Sequence, residues 1–467
     1  MEPSIYSPLR KLKLLLISPK GPLYRSRGGI FKRSLRYQPL TLTTLAALVP
    51  KSLPVEIALL DESISEIPDT IDADMIGMTV ITGNAPRAYE LAARFRAKGI
   101  TVVLGGPHVT LLPEEATLHA DSICVGYAEQ SWPRLIRDLL AGDLKPRYQQ
   151  DTDFHLDDPD LPFPERHLFD DKNFLTQAVF EATRSCTHNC EFCVAPSAWG
   201  RKQFQHPVEW VVNDIRQFIA RTGKRKLIFV DLNLVSDIGY AKALFTALIP
   251  LRVQWFGLST VLIAHNHELM ELMARSGCKG LLLGLETVSD GSLKDAGKKF
   301  NDSVDYKTLI GDLHRLGISV QGCFVFGLDH DTVDVFDRTV ELAIDAGIDL
   351  PRFSVLTPFP GTPLFQRLEQ EQRIITKDWS LYDAQHVVFQ PKLMSMQELE
   401  AGHEYAWKKV YRYNNIARRL WKAKNFWPLA LTANLGYRFY AHHLHQFYTC
   451  DWPIEHPSLQ NTSTRNS

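Results

Sequence analysis

The chain has 467 residues, 45% hydrophobic and 22% charged, the composition of a folded protein long enough for two or three domains. Its 52 Lys/Arg against 53 Asp/Glu exclude a global electrostatic pull toward nucleic acid or anionic membrane. Seven cysteines are too few for a disulfide scaffold, no run of about eighteen apolar residues reads as a membrane span, and Met1-Glu-Pro-Ser4 does not open a secretory signal, so a cytoplasmic location is expected.

Leu12-Lys-Leu-Leu-Leu-Ile-Ser18 is a short apolar run that stops at Pro19-Lys20-Gly21, the pattern of a buried strand feeding a loop. A helix is expected over 40–49. Further strands are expected over 55–61, 75–81, 102–108 and 122–126, with a helix over 85–98 between the third and fourth. Alternation of this kind predicts a doubly wound parallel sheet with ligands at the carboxyl ends of its strands. Those ends carry Thr79, Gly105-Gly106-Pro107-His108 and Gly126-Tyr127-Ala128-Glu129, and glycine there lets backbone approach a large ligand. Ordinary turn chemistry accounts for the same glycines. Tyr24 to Arg36 has five basic residues and no acidic one, which suits either a solvated loop or an anion contact.

Residues 149–172 are rich in aspartate and proline and read as an extended strap. Six strands are then expected over 177–184, 226–231, 254–260, 280–286, 318–326 and 351–357. Helices are expected over 208–220, 239–250, 267–276, 303–316 and 333–346. Six β/α units fall short of a closed eight-fold barrel.

Cys186, Cys190 and Cys193 form a C-x3-C-x2-C triplet in the loop after the first of these strands. Three thiolates this close can hold an iron–sulfur cube and leave one iron open to an outside ligand. A structural zinc site or buried apolar cysteines are the bland alternatives. The remaining cysteines, Cys124, Cys278, Cys323 and Cys450, are scattered singly and read as core or incidental.

The triplet, with Phe192 just before its third cysteine, resembles the radical S-adenosylmethionine (SAM) superfamily. Leu104-Gly-Gly-Pro-His108 and Gly126-Tyr-Ala-Glu129, placed ahead of it, look like the cobalamin-binding domain that precedes many radical SAM domains. The resemblance implies a [4Fe-4S] cluster on the three cysteines, SAM on the open iron and, through the upstream domain, cobalamin. It places Phe192, Asp231, Asn233, Ser259, Glu286 and Thr357 near SAM, and Thr79, Gly105, Gly106, Gly126 and Glu129 near cobalamin. The implied chemistry is SAM cleavage to a radical, hydrogen abstraction and methylation of an unactivated carbon. Some relatives carry out ring formation or oxidation instead. The implied partners are a small-molecule, lipid or tetrapyrrole-like substrate and an external electron donor such as a flavodoxin or ferredoxin.

Asp312-Leu-His-Arg-Leu-Gly317 matches the D-x-H-x-x-G cobalt-ligating pattern literally, but it ends a helix in the second domain. There His314 is expected to be an exposed helical residue and Gly317 a helix cap. No histidine lies between Leu12 and Lys51, so the first loop has none to offer cobalt. His265 and His267 read as surface residues.

The expected fold class is α/β. An N-terminal doubly wound parallel-sheet cobalamin-binding domain (1–148) and the linker (149–172) precede a partial (β/α)6 radical SAM barrel (173–370) and a mainly helical C-terminal segment (371–467) with a frayed tail. Tyr405 to Tyr448 contains eight Lys/Arg and no Asp/Glu, interleaved with aromatics. That stretch suits a helical cap over the barrel mouth or a peripheral membrane contact. A nucleic-acid role is disfavoured, since no RNA-binding module is appended and net charge is near zero.

Overall fold

The computed structural model describes residues 10–21, 37–169, 174–298, 301, 304–423 and 427–444. The basic stretch Tyr24 to Arg36 and the C-terminal tail lie outside the described residues, apart from what precedes 445.

The first unit runs β1 (Leu12–Ser18), α1 (Leu40–Ala47), β2 (Val55–Asp61), β3 (Met75–Thr79), α2 (Ala85–Arg96) and β4 (Thr101–Gly105). It continues with α3 (Pro107–Leu111), α4 (Pro113–Thr117), β5 (Ser122–Val125), α5 (Ser131–Leu140) and β6 (Arg147–Gln149). The strands lie parallel in the order β2-β1-β3-β4-β5-β6. The order reverses between β1 and β3, which opens a crevice at the carboxyl ends. Apolar side chains on both faces explain the continuous hydrophobic runs. On one side Ala88, Leu91 and Phe95 of α2 cover Ile76, Met78 and Val102; on the other Leu42 and Ala46 of α1 pack with Trp132 and Leu135 of α5. Gly77 lets the Trp132 ring come down on the sheet, since a Cβ there would sit 3.3 Å from it. The sixth strand, β6, was not read from the sequence: three residues are too few to declare a period, and β5 supplies its partner.

The second unit begins with β7 (Val179–Phe180), β8 (Thr183–Arg184), α6 (Val194–Trp199), β9 (Phe204–Gln205) and α7 (Val208–Thr222). Then come β10 (Lys226–Phe229), α8 (Ile238–Leu248), β11 (Gln254–Ser259), α9 (His267–Arg275) and β12 (Cys278–Glu286). The unit ends with α10 (Asp290–Asp295), α11 (Tyr306–Arg315), β13 (Ser319–Phe326), α12 (Val335–Asp345) and β14 (Arg352–Val355). Six strands form a parallel sheet in the order β14-β13-β12-β11-β10-β7, with β14 and β7 at opposite edges: an open, partial barrel. Alternation sets its two faces. Trp255, Leu281, Leu283, Phe324, Phe326 and Phe353 point out into one continuous core under the helices, while Phe256, Leu258, Gln321 and Cys323 between them are not buried.

The expected first strand breaks in two. After Phe180 the chain leaves the sheet, because the Ala182 and Thr183 amides donate to the Asp231 carboxylate, and β8 pairs antiparallel with β9. The strap packs as ordered structure. Arg166, 2% exposed, donates to both oxygens of Asp214 on α7 at 2.7 Å and to the Val179 carbonyl, and its guanidinium lies 4.4 Å over the Phe180 ring.

The described residues end with α13 (Pro363–Gln370), α14 (Met396–Val410), α15 (Tyr413–Ala423) and α16 (Trp427–His442). Ser395 and Glu398 start α14 with a capping box. These last helices do not cap the barrel mouth. Trp407 donates to Phe353 O, Tyr411 to Pro351 O, and the buried Arg419 to Ile348 O and Asp349 O. They therefore close the β14 edge and the amino-terminal base of the sheet, opposite the carboxyl ends of the strands. His314 also differs from expectation. Its side chain is 8% exposed and its Nε2 lies 2.8 Å from the Asp349 carboxylate, because the helix face chosen for burial includes it. Gly317, at φ 76°, follows the end of α11 as expected of a helix cap.

Candidate functional site

The cysteine loop leaves β8 through Ser185, a non-glycine residue at φ 66° whose Oγ donates to Gly200 O at 2.7 Å. Strain of that kind persists where the surroundings over-determine it. Cys190 is buried, Cys186 and Cys193 are half-buried, and Cys193 starts α6. Several elements pin the loop from behind. Glu191 N donates to Ala296 O, Leu364 N donates to Glu191 O, and Arg367 bridges the Glu191 and Asp329 carboxylates at 2.7 and 2.6 Å. Gly297, at φ 71°, lets the turn after α10 press on the loop, since a Cβ would come within 2.9 Å of Asn189 O.

Burial pushes the Cys190 thiol up to about 11 and raises Cys193 as well, and the neighbouring thiols add to both shifts. Two thiols that resist ionisation by themselves, Cys190 and Cys193, fit a site completed by a cationic iron core, whose charge would stabilise the thiolates. Among the described residues no three His, Cys, Asp or Glu side chains are grouped to hold a single metal ion.

Glu286 ends β12 at φ 66°, where the register against β13 shifts. Its carboxylate lies over Gly284, where a Cβ would collide with Oε1, and pairs with Lys298 Nζ at 2.9 Å. Lys298 is 8% exposed. Burial works against its charge, but the Glu286 carboxylate more than offsets this and holds the proton on. Sequence reading missed Lys298, which belongs to a turn twelve residues downstream; its one local signal was a lysine beside a glycine in a connection between strand and helix.

The other residues expected near SAM are distributed along the strand ends. Asp231 is 1% exposed and accepts from Ala182 N at 3.0 Å and from Thr183 N; burial pushes its carboxyl up to about 7, with Glu181 adding to the shift. Asn233 donates to Ser236 Oγ at 2.7 Å, while its buried Oδ1 lacks a hydrogen-bond partner among the described residues. Ser259 donates to Thr260 O and Thr357 to Val355 O. Phe192 lines a small crevice with Leu328 and Leu356.

Between the two units lies a cavity of ≈ 580 Å³. Thr79, Gly105, Gly106, Gly126 and Glu129 line it from the first unit, and Glu181, Arg184, Ser185 and Trp199 from the second. Gly106, at φ 105°, runs so close to β3 that a Cβ would lie 2.7 Å from Val80 O; Gly126, at φ 84°, is equally tight against Gln150. The cradle is thus made of backbone, as a large flat ligand requires. Glu129 faces Arg184, which also pairs with Glu181 at 2.6 Å and lies 5.2 Å over the Tyr127 ring. Glu129 Oε2 is buried without a hydrogen-bond partner among the described residues. No histidine is among the described residues lining the cavity. His108, next in chain to the cradle, turns away to Thr82 and Glu115.

A parallel sheet with a glycine cradle, facing an open barrel that carries a C-x3-C-x2-C loop, defines a radical SAM enzyme joined to a cobalamin domain. The radical SAM superfamily profile matches residues 180–343, the B12 binding domain matches 30–136, and a domain of unknown function (DUF4070) matches 362–448. The chain is 31% identical over 419 residues to bacteriochlorophyllide d C-12(1)-methyltransferase of Chlorobaculum tepidum, spanning 87% of this chain and 89% of that one. It is 30% identical over 394 residues to the C-8(2)-methyltransferase of the same organism, spanning 79% and 86%. The fold is shared with the cobalamin-dependent SAM radical enzyme OxsB, at TM-score 0.65, 13% identity, 93% of this chain and 73% of that one.

The chain belongs to the cobalamin-dependent radical SAM, methyltransferase-like family. It is an enzyme that uses a [4Fe-4S] cluster, SAM and cobalamin to methylate an unactivated carbon of a small molecule, and no nucleic acid is implicated.

Proposed function

We propose that this enzyme methylates an unactivated side-chain carbon of a tetrapyrrole-class macrocycle. The observation that carries the reading is the cavity joining the glycine cradle to Ser185, one residue before Cys186. Such continuity suits one substrate carbon presented to both cofactors with water excluded. Apolar residues left open on the cavity wall, Ile81 and Leu232, suit a hydrophobic substrate, as do the names of the two Chlorobaculum relatives.

In this reading the division of labour follows 1–148, 149–172, 173–370 and 371–467. Cys186, Cys190 and Cys193 hold the cluster, and their number leaves one iron for SAM. Phe192 lies against the adenine. Glu286 accepts hydrogen bonds from SAM, as an ionised carboxylate does, and Lys298 fixes its direction. Asp231 orients the Ala182–Thr183 backbone that delivers the cysteine loop, while Asn233, Ser259 and Thr357 complete the SAM pocket. Thr79, Gly105, Gly106, Gly126 and Glu129 hold the corrin. When bound, these groups supply a carbon-centred radical and a methyl donor. A flavodoxin- or ferredoxin-type carrier supplies electrons, and the enzyme works in the cytoplasm with peripheral contact to a membrane.

The test is an anaerobic assay with methyl-labelled SAM and bacteriochlorophyllide-type substrates. Label carried into the macrocycle, with 5′-deoxyadenosine formed alongside, is the expected result. If 5′-deoxyadenosine forms but no tetrapyrrole accepts label, the substrate class is wrong.

A further inference from the structure

The helix α16 buries one side and leaves an apolar stripe exposed on the other. Ala430, Asn434 and Ala441 are buried against the barrel. On the far side Leu431, Leu435 and Phe439 recur at i, i+4 and i+8 and are 40%, 44% and 41% exposed. At 100° per residue these three share one stripe along the helix. Isolated exposed apolar residues are ordinary, but a stripe of three on a helix already anchored by its other face is not.

The neighbouring helix extends the same surface. Arg438 of α16 lies 4.0 Å over the Tyr413 ring of α15 and donates to Tyr411 O, which locks the two helices side by side. Tyr413 and Trp421, at i and i+8 on α15, are 65% and 76% exposed. The charge carried by the segment itself has one sign. From Tyr405 to Tyr448 the sequence contains no Asp or Glu. Carboxylates of other segments meet some of its cations: Asp337 meets Lys409 and Asp345 meets Arg418, while Glu404, just before the stretch, meets Lys408. Arg412, Lys422 and Arg438 have no carboxylate partner among the described residues; Lys422 donates to Asp345 O and Arg438 to Tyr411 O, so both keep their net charge unneutralised.

We propose that the α15–α16 face docks on an anionic lipid bilayer surface, with Leu431, Leu435, Phe439 and Trp421 entering the interface and the cations meeting lipid headgroups. Charge complementarity selects this occupant. Tyr and Trp favour the headgroup level, apolar residues the acyl boundary, and Arg/Lys without a carboxylate partner the anionic lipid. A bilayer also accepts a stripe without requiring a shaped counterpart. Among the described residues no helix is long and apolar enough to cross a membrane, so the contact lies in the interface plane. The inference deepens the membrane contact proposed above and does not depend on the substrate class.

The test is co-sedimentation of the anaerobically purified full chain with phosphatidylcholine vesicles, with and without phosphatidylglycerol. The wild type is expected to sediment with the phosphatidylglycerol vesicles at low salt and to be released as salt rises. The double variant Leu435→Glu/Phe439→Glu is expected to lose binding by about tenfold or more with an unchanged thermal melt, since both side chains are exposed in the free protein. Arg412→Gln/Lys422→Gln is expected to flatten the salt dependence. The proposal is overturned if the wild type stays in the supernatant at low salt, or if Leu435→Glu/Phe439→Glu binds vesicles as well as wild type. It is equally overturned if the wild type is a dimer that the double variant makes monomeric without any vesicle binding, because the face then belongs to a second copy. SAM cleavage measured on the same samples separates loss of docking from loss of the enzyme.

Discussion

At the scale of single residues, two buried charge pairs carry most of the site's organisation. Arg184 faces Glu129 across the domain boundary and Glu181 on its own segment. Replacing it with methionine leaves two carboxylates without their cation, a change expected to cost roughly 3–5 kcal/mol in chemical denaturation. Glu286 and Lys298 form the second pair. Glu286→Gln keeps the shape but loses the charge, and is expected to weaken SAM binding by about tenfold in equilibrium dialysis while iron content stays unchanged.

Asp231 gives a pH dependence with a definite sign. Burial raises its carboxyl to about 7 in the folded chain, above the ordinary carboxylate value of the unfolded one. Between those two values the folded state binds a proton that the unfolded state does not, so stability falls as pH rises through this window. Asp231→Asn keeps an oxygen for the Ala182 and Thr183 amides, so denaturation midpoints of that variant should vary less from about pH 4 to 7 than those of wild type. An unchanged slope would locate the titration elsewhere.

At the scale of elements, the sheet of the first unit depends on a glycine where β4 turns toward the crevice. Gly106→Ala adds a Cβ at positive φ against the Val80 backbone, which cannot yield as a flexible side chain can. A loss of roughly 2–4 kcal/mol is expected in a thermal melt, with corrinoid retention falling in parallel. Much of this level was legible in sequence. Ten of the strands expected across both units fall within a few residues of the observed ones, because parallel strands buried on both faces announce themselves as apolar runs. The cysteine triplet was legible because one short loop carries all three cysteines. What escaped depends on distant partners. Lys298 matters only because a turn folds back on Glu286 and the cysteines; the break after Phe180 exists only because Asp231 draws two amides out of the sheet. His314 read as exposed until Asp349, thirty-five residues away, gave it a buried partner. The last helices read as a cap over the mouth because aromatic content says that a segment packs, not against which end.

At the scale of the whole molecule, the two units meet so that the carboxyl ends of both sheets open on one cavity. Further contacts fix this apposition beyond the Arg184–Glu129 pair. Trp379, in the segment after the barrel, donates to Glu115 of the first unit, and Gly361 in the loop after β14 packs on Leu111. The strap is bound into the second unit by Arg166 and Asp214 rather than left as a tether. The helices at the far end seal the barrel's edge and base, which leaves the mouth to the first unit. The account therefore requires one chain to hold two separable cofactors on either side of a single chamber. Iron and cobalt content of the anaerobically reconstituted full chain, compared with Cys186→Ala, tests this most directly. The account predicts about four iron atoms and one cobalt per wild-type chain, with iron lost and cobalt retained in Cys186→Ala. Iron without cobalt in the wild type, or loss of both metals in the variant, would contradict it.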